Sequence, residues 1–132
     1  MNFLIDTNIC SAYLKGNRSV WNRFTQYSGG LAISVVSAGE LWTWVKRGKL
    51  SERSRKSVTE FLDLMDVVDI DLDVALRFGE LRAIMADAGT PMPDMDGLIA
   101  ATALSHDLTL VTNNTADFQN VPNLRIQDWM ET

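Results

Sequence analysis

The segment DMDGLIAATALSHDLTLVT, residues 94–112, decides how this chain folds. From Leu98 to Leu104 it is apolar nearly all round, so a helix built from it has no polar face for water and must be buried. The run 109–112, Thr-Leu-Val-Thr, is short and continuously apolar, as in a strand covered on both faces. A buried helix feeding a buried strand is the unit of a parallel sheet with helices on both sides. Ahead of the helix, Pro91 and Pro93 end the preceding element and stiffen the approach. Two acids, Asp94 and Asp96, stand at the helix start. One of them can cap the helix by accepting from its orphan amides; the same position also holds a carboxylate rigidly for chemistry.

Outward from this segment the same alternation recurs. Apolar runs at 3–5, 31–35 and 67–70 read as three further buried strands, and 124–126 as a weak fifth. Between them, 7–15 and 18–27 read as short helices, 37–48 and 52–65 as a helical pair, and 73–88 as a longer amphipathic helix stopped by Gly89. The expected fold class is α/β, with a short parallel sheet covered on both faces. With 132 residues, 46% of them hydrophobic, the chain is sized for one domain, expected to span 1–132. No run has the length of a membrane span, and the N-terminus lacks the basic start of a signal peptide. The single cysteine, Cys10, cannot form an internal disulfide and reads as small core filler. Both features point to a reducing cytoplasm. The lone His106 reads as a residue packing near a helix end, and argues against a zinc cluster or a Ser-His-Asp arrangement.

Charge is unevenly distributed. The net charge is −5, yet residues 15–56 hold nine basic side chains against two acids, and residues 57–132 hold three against fourteen. An acidic protein is a poor prior for nucleic-acid binding, but a basic segment on one edge can form a phosphate-binding strip. The cluster Lys46, Arg47, Lys49, Arg53, Arg55 and Lys56 therefore has two uses: guiding a nucleic-acid backbone, or meeting acids on a protein partner. Trp42 and Trp44, two residues apart on one helix, cannot both face inward, which directs one of them toward a partner.

In parallel sheets, ligands bind beyond the carboxyl ends of the strands. Asp6 follows the first strand, Glu40 lies about one turn into the helix after the second, and Asp96 starts the helix feeding the fourth. Thr112 ends the fourth strand, and Asn114 and Asp117 follow in its loop. Each acid alone is a capping or surface residue; jointly they can converge on one edge of the sheet. Converging carboxylates raise one another's pKa unless a cation compensates. Mg²⁺ and Mn²⁺ take oxygen ligands, and one or two such ions support in-line hydrolysis of a phosphodiester.

Four stretches, FLIDTN (3–8), SVVSAGEL (34–41), DMDGLIAATAL (94–104) and LVTNNTADF (110–118), resemble in order and spacing the motifs of PIN-domain ribonucleases. The closing LRIQDW (124–129) and the chain length resemble the VapC toxins of bacterial toxin–antitoxin pairs. The resemblance implies a three-layer α/β/α sandwich and Mg²⁺- or Mn²⁺-dependent RNA cleavage. It also implies dimerisation, or a heteromeric assembly in which a VapB-type antitoxin covers the acidic cleft. Position by position it implies Asp6, Glu40, Asp96 and Asp117 as metal-binding acids, the last often through water. Thr112 and Asn114 match polar residues that orient metal-bound water or the acids, and Thr7 and Asn8 match the turn that positions the first acid. Asp94 is an additional acid, a helix cap or an auxiliary ligand.

Three rivals compete. A haloacid-dehalogenase-like phosphatase needs a second Asp two residues after the first, where this chain has Asn8. A response-regulator-like domain needs a late strand-end lysine, and no lysine follows Lys56. A noncatalytic PIN-like RNA- or protein-binding module is marked by loss of motif acids, and all four are present.

Overall fold

The computed structural model describes residues 1–130. Five strands, β1 (Phe3–Ile5), β2 (Leu31–Ser34), β3 (Asp66–Val68), β4 (Thr109–Val111) and β5 (Ile126–Gln127), form one sheet in the order β3-β2-β1-β4-β5. Every pairing is parallel. The helices are α1 (Thr7–Leu14), α2 (Arg18–Gln26), α3 (Val35–Arg47), α4 (Glu52–Leu64), α5 (Leu72–Asp87), α6 (Asp94–Ser105) and the short α7 (Thr115–Phe118).

Alternation along each strand builds two cores, because successive side chains leave opposite faces. Phe3, Ile5, Leu31, Ile33 and Val111 pack on one side with Ile9 of α1, Phe24 of α2, Leu41 of α3, Phe61 of α4 and Trp129. Leu4, Ala32 and Leu110 pack on the other with Leu81 and Met85 of α5, Ile99, Ala100 and Ala103 of α6, and Phe118 of α7. The result is the expected α/β/α sandwich.

The boundaries differ from the sequence reading for local reasons. Val35 belongs to α3, not to β2, because the Ser34 hydroxyl accepts from the Ser37 amide and starts the helix there. The third strand covers Asp66–Val68 instead of 67–70: β2 ends at Ser34, paired with Val68, and leaves no partner beyond. The fifth strand covers Ile126–Gln127 instead of 124–126, since Leu110 and Val111 of β4 pair with these two residues. Asp117 stands on α7 and not in a loop. Asp94 does not cap α6: Pro93 occupies the cap position with no side-chain hydrogen bond, and Asp94 Oδ1 lies 3.4 Å from Arg82 Nε of α5. Cys10 and His106 sit as expected, the one fully buried and the other exposed at the C-cap of α6.

Two glycines matter to the site. Gly48 adopts φ +70° and ends α3 in the left-handed conformation, just after Lys46 and Arg47. Gly97 lets α6 approach α5 closely, since a Cβ there would come within 3.0 Å of the Phe78 ring. That approach packs the start of α6, which carries Asp96, on α5. No described helix is long and apolar enough to cross a membrane.

Candidate active site: an acidic cleft at the strand ends

The chain runs from β1 outward to β2 and β3, then crosses back to β4 on the other side of β1. The strand order therefore reverses between β1 and β4, where open parallel sheets form a crevice. Asp6 is the first residue after β1 and only 6% exposed. It caps α1: Oδ1 accepts from the Thr7 amide at 2.8 Å. Its Oδ2 accepts from Thr112 Oγ1 at 2.8 Å and from Asn8 Nδ2 at 3.4 Å. Thr112 is fully buried directly after β4, so a hydroxyl from the neighbouring strand end fixes the acid. The Asn114 amide in turn donates to Thr112 Oγ1 at 3.1 Å.

A second chain of hydroxyls reaches Glu40. Thr7 Oγ1 lies 2.9 Å from both Ser37 Oγ and Glu40 Oε1. Ser37 Oγ lies 3.4 Å from Ser34 Oγ. With Glu40 ionised, Thr7 donates to the carboxylate and Ser37 donates to Thr7, which satisfies the buried oxygens. Sequence reasoning missed Ser34 and Ser37; the signal was present as serine three residues apart at a helix start, the spacing of an N-cap.

Asp6, Glu40 and Asp96 line one cleft of about 470 Å³, together with Thr7, Asn8, Ser11, Asn113 and Asn114. Trp44, Met95, Ile99 and Met130 supply its apolar lining. Asp117 lines an adjoining hollow of about 360 Å³ that also borders Asp96. Asp94 lies outside both, in a small hollow with Phe78 and Arg82. A larger hollow of about 690 Å³ is lined by Tyr13, Trp21, Phe24, Phe61 and Leu64 and contains none of the predicted site residues. Convergent chemistry, not size, distinguishes the acidic cleft.

Two of the acids, Asp6 and Asp96, are perturbed by burial and by negative charge nearby. Burial pushes the Asp6 carboxyl above the ordinary aspartate range; hydrogen bonds from Thr112, Thr7 and Asn8 pull it down, and the charge of Asp117 adds to the rise. Burial also raises Asp96, followed by the negative charges of Asp6, Asp117 and Glu40. Among the described residues, no three His, Cys, Asp or Glu side chains are gathered into a ready-made metal cage. The donor set is nonetheless all hard oxygen, crowded with negative charge and open to water. It suits a cation that keeps several waters and uses few carboxylates, as Mg²⁺ does.

The basic cluster falls at the end of α3 and the start of α4, exposed throughout. Trp42 is exposed, with Lys46 Nζ 5.7 Å from its ring centroid. Trp44 packs part of its surface on the core and presents the rest to the cleft.

Comparison with known proteins agrees with this geometry. A family model described as "PIN domain" matches residues 3–124. The chain is 37% identical over 130 residues to the tRNA(fMet)-specific endonuclease VapC of Shigella flexneri, covering 98% of both. It also matches a chain of the DNA-bound VapBC of Salmonella typhimurium with a TM-score of 0.91 and 33% identity, covering 98% of both. VapBC2 of Rickettsia felis, bound to a DNA fragment from its promoter, matches with a TM-score of 0.89 and 30% identity over 98% of this chain and 99% of that one.

Proposed function

The chain belongs to the PIN-domain family and is closely related to its VapC ribonuclease toxins, and from that premise we propose that it is a divalent-metal-dependent endoribonuclease held inactive by a VapB-like antitoxin. The observation that carries the reading is the gathering of Asp6, Glu40 and Asp96 in one cleft, with Asp117 in the hollow that adjoins it at Asp96, at the strand-order reversal. Four acids at one sheet edge cost stability unless a cation compensates them. All of 1–132 is taken as one PIN domain acting in the cytoplasm, as a homodimer or within a toxin–antitoxin assembly.

Asp6, Glu40 and Asp96 would hold one or two Mg²⁺ or Mn²⁺ ions, with Asp117 acting at longer range, through water. The bound metal supplies Lewis-acid stabilisation of phosphate charge and a more acidic water nucleophile. The chain's own residues do the positioning. Thr112 and the Thr7 amide fix the two oxygens of Asp6, and Thr7 holds Glu40 through its hydroxyl. Asn114 ties the loop after β4 to Thr112 through its amide, and its side chain borders the cleft where it can orient water. Hydrolysis at the cleft releases two RNA ends and needs no further co-substrate.

Since the Shigella flexneri relative is named for tRNA(fMet), initiator transfer RNA is the first substrate to assay, beside pooled cellular RNA. The test uses purified, antitoxin-free protein with Mg²⁺, with Mn²⁺ and with chelator, alongside Asp6→Asn and Asp96→Asn. Metal-dependent cleavage lost in both folded variants is the expected result. Cleavage that survives chelation, or that survives both substitutions, would overturn the reading. A folded wild type that cuts no RNA would favour the noncatalytic module.

A further inference from the structure

Helix periodicity places Glu40, Trp44 and Arg47 on one stripe of α3, at i, i+4 and i+7. Along this stripe the cleft wall changes from metal-type acid to aromatic ring to exposed cation. Glu40 and Trp44 both line the acidic cleft, one helical turn apart, about 5–6 Å between Cβ atoms. Arg47 continues the stripe past the rim and makes none of the ion pairs found among the described residues. Trp42 lies on another face of the helix, engaged by Lys46. Met95, which is 61% exposed, and Met130 border the same cleft.

The acids of the cleft offer RNA no attraction of their own, so a contact that is not charge-driven adds affinity beside whatever a bound cation supplies. An aromatic face supplies one, because every base has a π-face and stacking tolerates sequence. Core packing along part of Trp44 fixes the ring in advance, which lowers the ordering cost of binding. Bases inside an A-form duplex are already stacked and out of reach, whereas unpaired bases can be splayed onto such a ring.

We propose that Trp44 is a base-stacking platform that selects an unpaired nucleotide next to the scissile phosphate, with Arg47 meeting the backbone as it leaves the cleft. This inference rests on the ribonuclease reading of the acidic cleft. It makes Trp44 a specificity-determining residue.

The test measures binding separately from cleavage, on an Asp96→Asn background. The probes are a fluorescein-labelled single-stranded RNA of about ten nucleotides and the same strand annealed to its complement, followed by anisotropy at about 150 mM salt. Trp44→Leu keeps apolar packing and loses the ring; Trp44→Phe keeps a smaller ring. Thermal melts confirm that both variants are folded. Expected is a loss of single-strand affinity of about 5- to 150-fold in the leucine variant, partial recovery in the phenylalanine variant, and a smaller change with duplex. Equal affinity of the leucine variant and the parent, equal losses on both probes, or parental single-strand binding too weak to measure would each overturn the proposal. Wild-type cleavage is scored in parallel. Cutting without tryptophan-dependent binding refutes the stacking role alone, and tryptophan-dependent binding without cutting refutes the ribonuclease reading alone.

Discussion

Replacing Asp6 by asparagine is expected to stabilise the metal-free protein while abolishing RNA cleavage. Asparagine keeps the shape and, with the same oxygen, the cap on the Thr7 amide now made at 2.8 Å. What changes is the other end. The second oxygen now accepts from Thr112 at 2.8 Å and from Asn8 at 3.4 Å. An amide NH₂ there would have to donate to Thr112 Oγ1, which already accepts from the Asn114 amide at 3.1 Å and from Asn8 Nδ2 at 3.4 Å. The two hydrogen bonds to that oxygen are lost, at about 1 kcal/mol each. Against this, the substitution removes a buried negative charge whose burial already outweighs those hydrogen bonds, since the folded pKa is raised despite them. It also relieves Asp96, for which the charge of Asp6 is the largest perturbation after burial. The net gain expected is about 1 kcal/mol, in the range of substitutions that relax a functional site. For a chain of 132 residues that is about 3–4 °C in Tm.

The pH dependence provides an independent check. A folded pKa above the unfolded value means that the folded state holds more protons over the interval between them. Wild-type stability therefore falls as pH rises through that interval. The advantage of Asp6→Asn is largest at neutral pH, shrinks as pH falls through that interval, and is gone below about pH 4, where the aspartate is protonated in both states. Mn²⁺ or Mg²⁺ at ten times its dissociation constant should stabilise the wild type by about 1.4 kcal/mol and the variant by much less. Scanning calorimetry with chelator, between pH 4 and 8, measures all three. A variant melting several degrees below wild type at pH 7 in chelator would refute the reasoning and assign Asp6 to the fold's hydrogen bonding instead.

Thr7→Val breaks the hydroxyl chain from Ser37 to Glu40; a loss of about 1–2 kcal/mol in chemical denaturation is expected, with cleavage falling further than stability because Glu40 is no longer held. Trp129→Ala removes a ring that is 1% exposed and packs on Phe3, Phe24 and Tyr27; it should cost about 3–5 kcal/mol, read by urea titration, and an effect below 1 kcal/mol would contradict the packing. Reversing charge at Arg47, Lys49, Arg53 and Arg55 should weaken RNA binding and flatten its dependence on salt, whereas an unchanged slope would assign the strip to a protein partner. Cys10 is fully buried and its thiol is pushed far up by burial; it should resist a thiol reagent in the native state and react only on unfolding, which mass spectrometry resolves.

The sheet was legible because its strands are apolar on both faces, and only a parallel sheet covered twice buries such runs. The helices were legible from their apolar spacing. Boundaries were misread where pairing, which the sequence does not display, sets the end: β3 stops because β2 offers nothing beyond Ser34. Asp94 illustrates a second limit. Its place before an apolar helix suits a cap, but Arg82 of α5 comes within 3.4 Å and takes the carboxylate instead. That Asp6, Glu40 and Asp96 would meet at one edge, with Thr112 beside Asp6 and Asp117 next to Asp96, was legible because parallel strand ends define that edge. Ser34 and Ser37 were legible only as a helix cap three residues apart; nothing in that spacing shows that the Ser37 hydroxyl reaches Thr7, whose partner Glu40 it helps to hold.

That hidden relay explains how an acidic site is affordable in so small a fold. Asp6 and Glu40 are held by hydroxyls and amides from residues that also cap helices: Ser34 starts α3, Asp6 itself starts α1, and Thr7 is the first residue of that helix. Each group therefore serves the fold and the site at once, so the acids are oriented without added length or a separate supporting layer. The remaining cost, mutual repulsion at the strand-order reversal, is left for a cation to remove. Stability should then report metal binding directly, and the acid that most destabilises the metal-free fold should be the one that cleavage can least spare. On its burial, and because its charge acts on Asp96 while that of Asp117 acts on it, that acid is Asp6. If Asp96→Asn instead gave the larger rise in melting temperature and the larger loss of cleavage, the centre of the site would lie toward Asp117 and the second hollow.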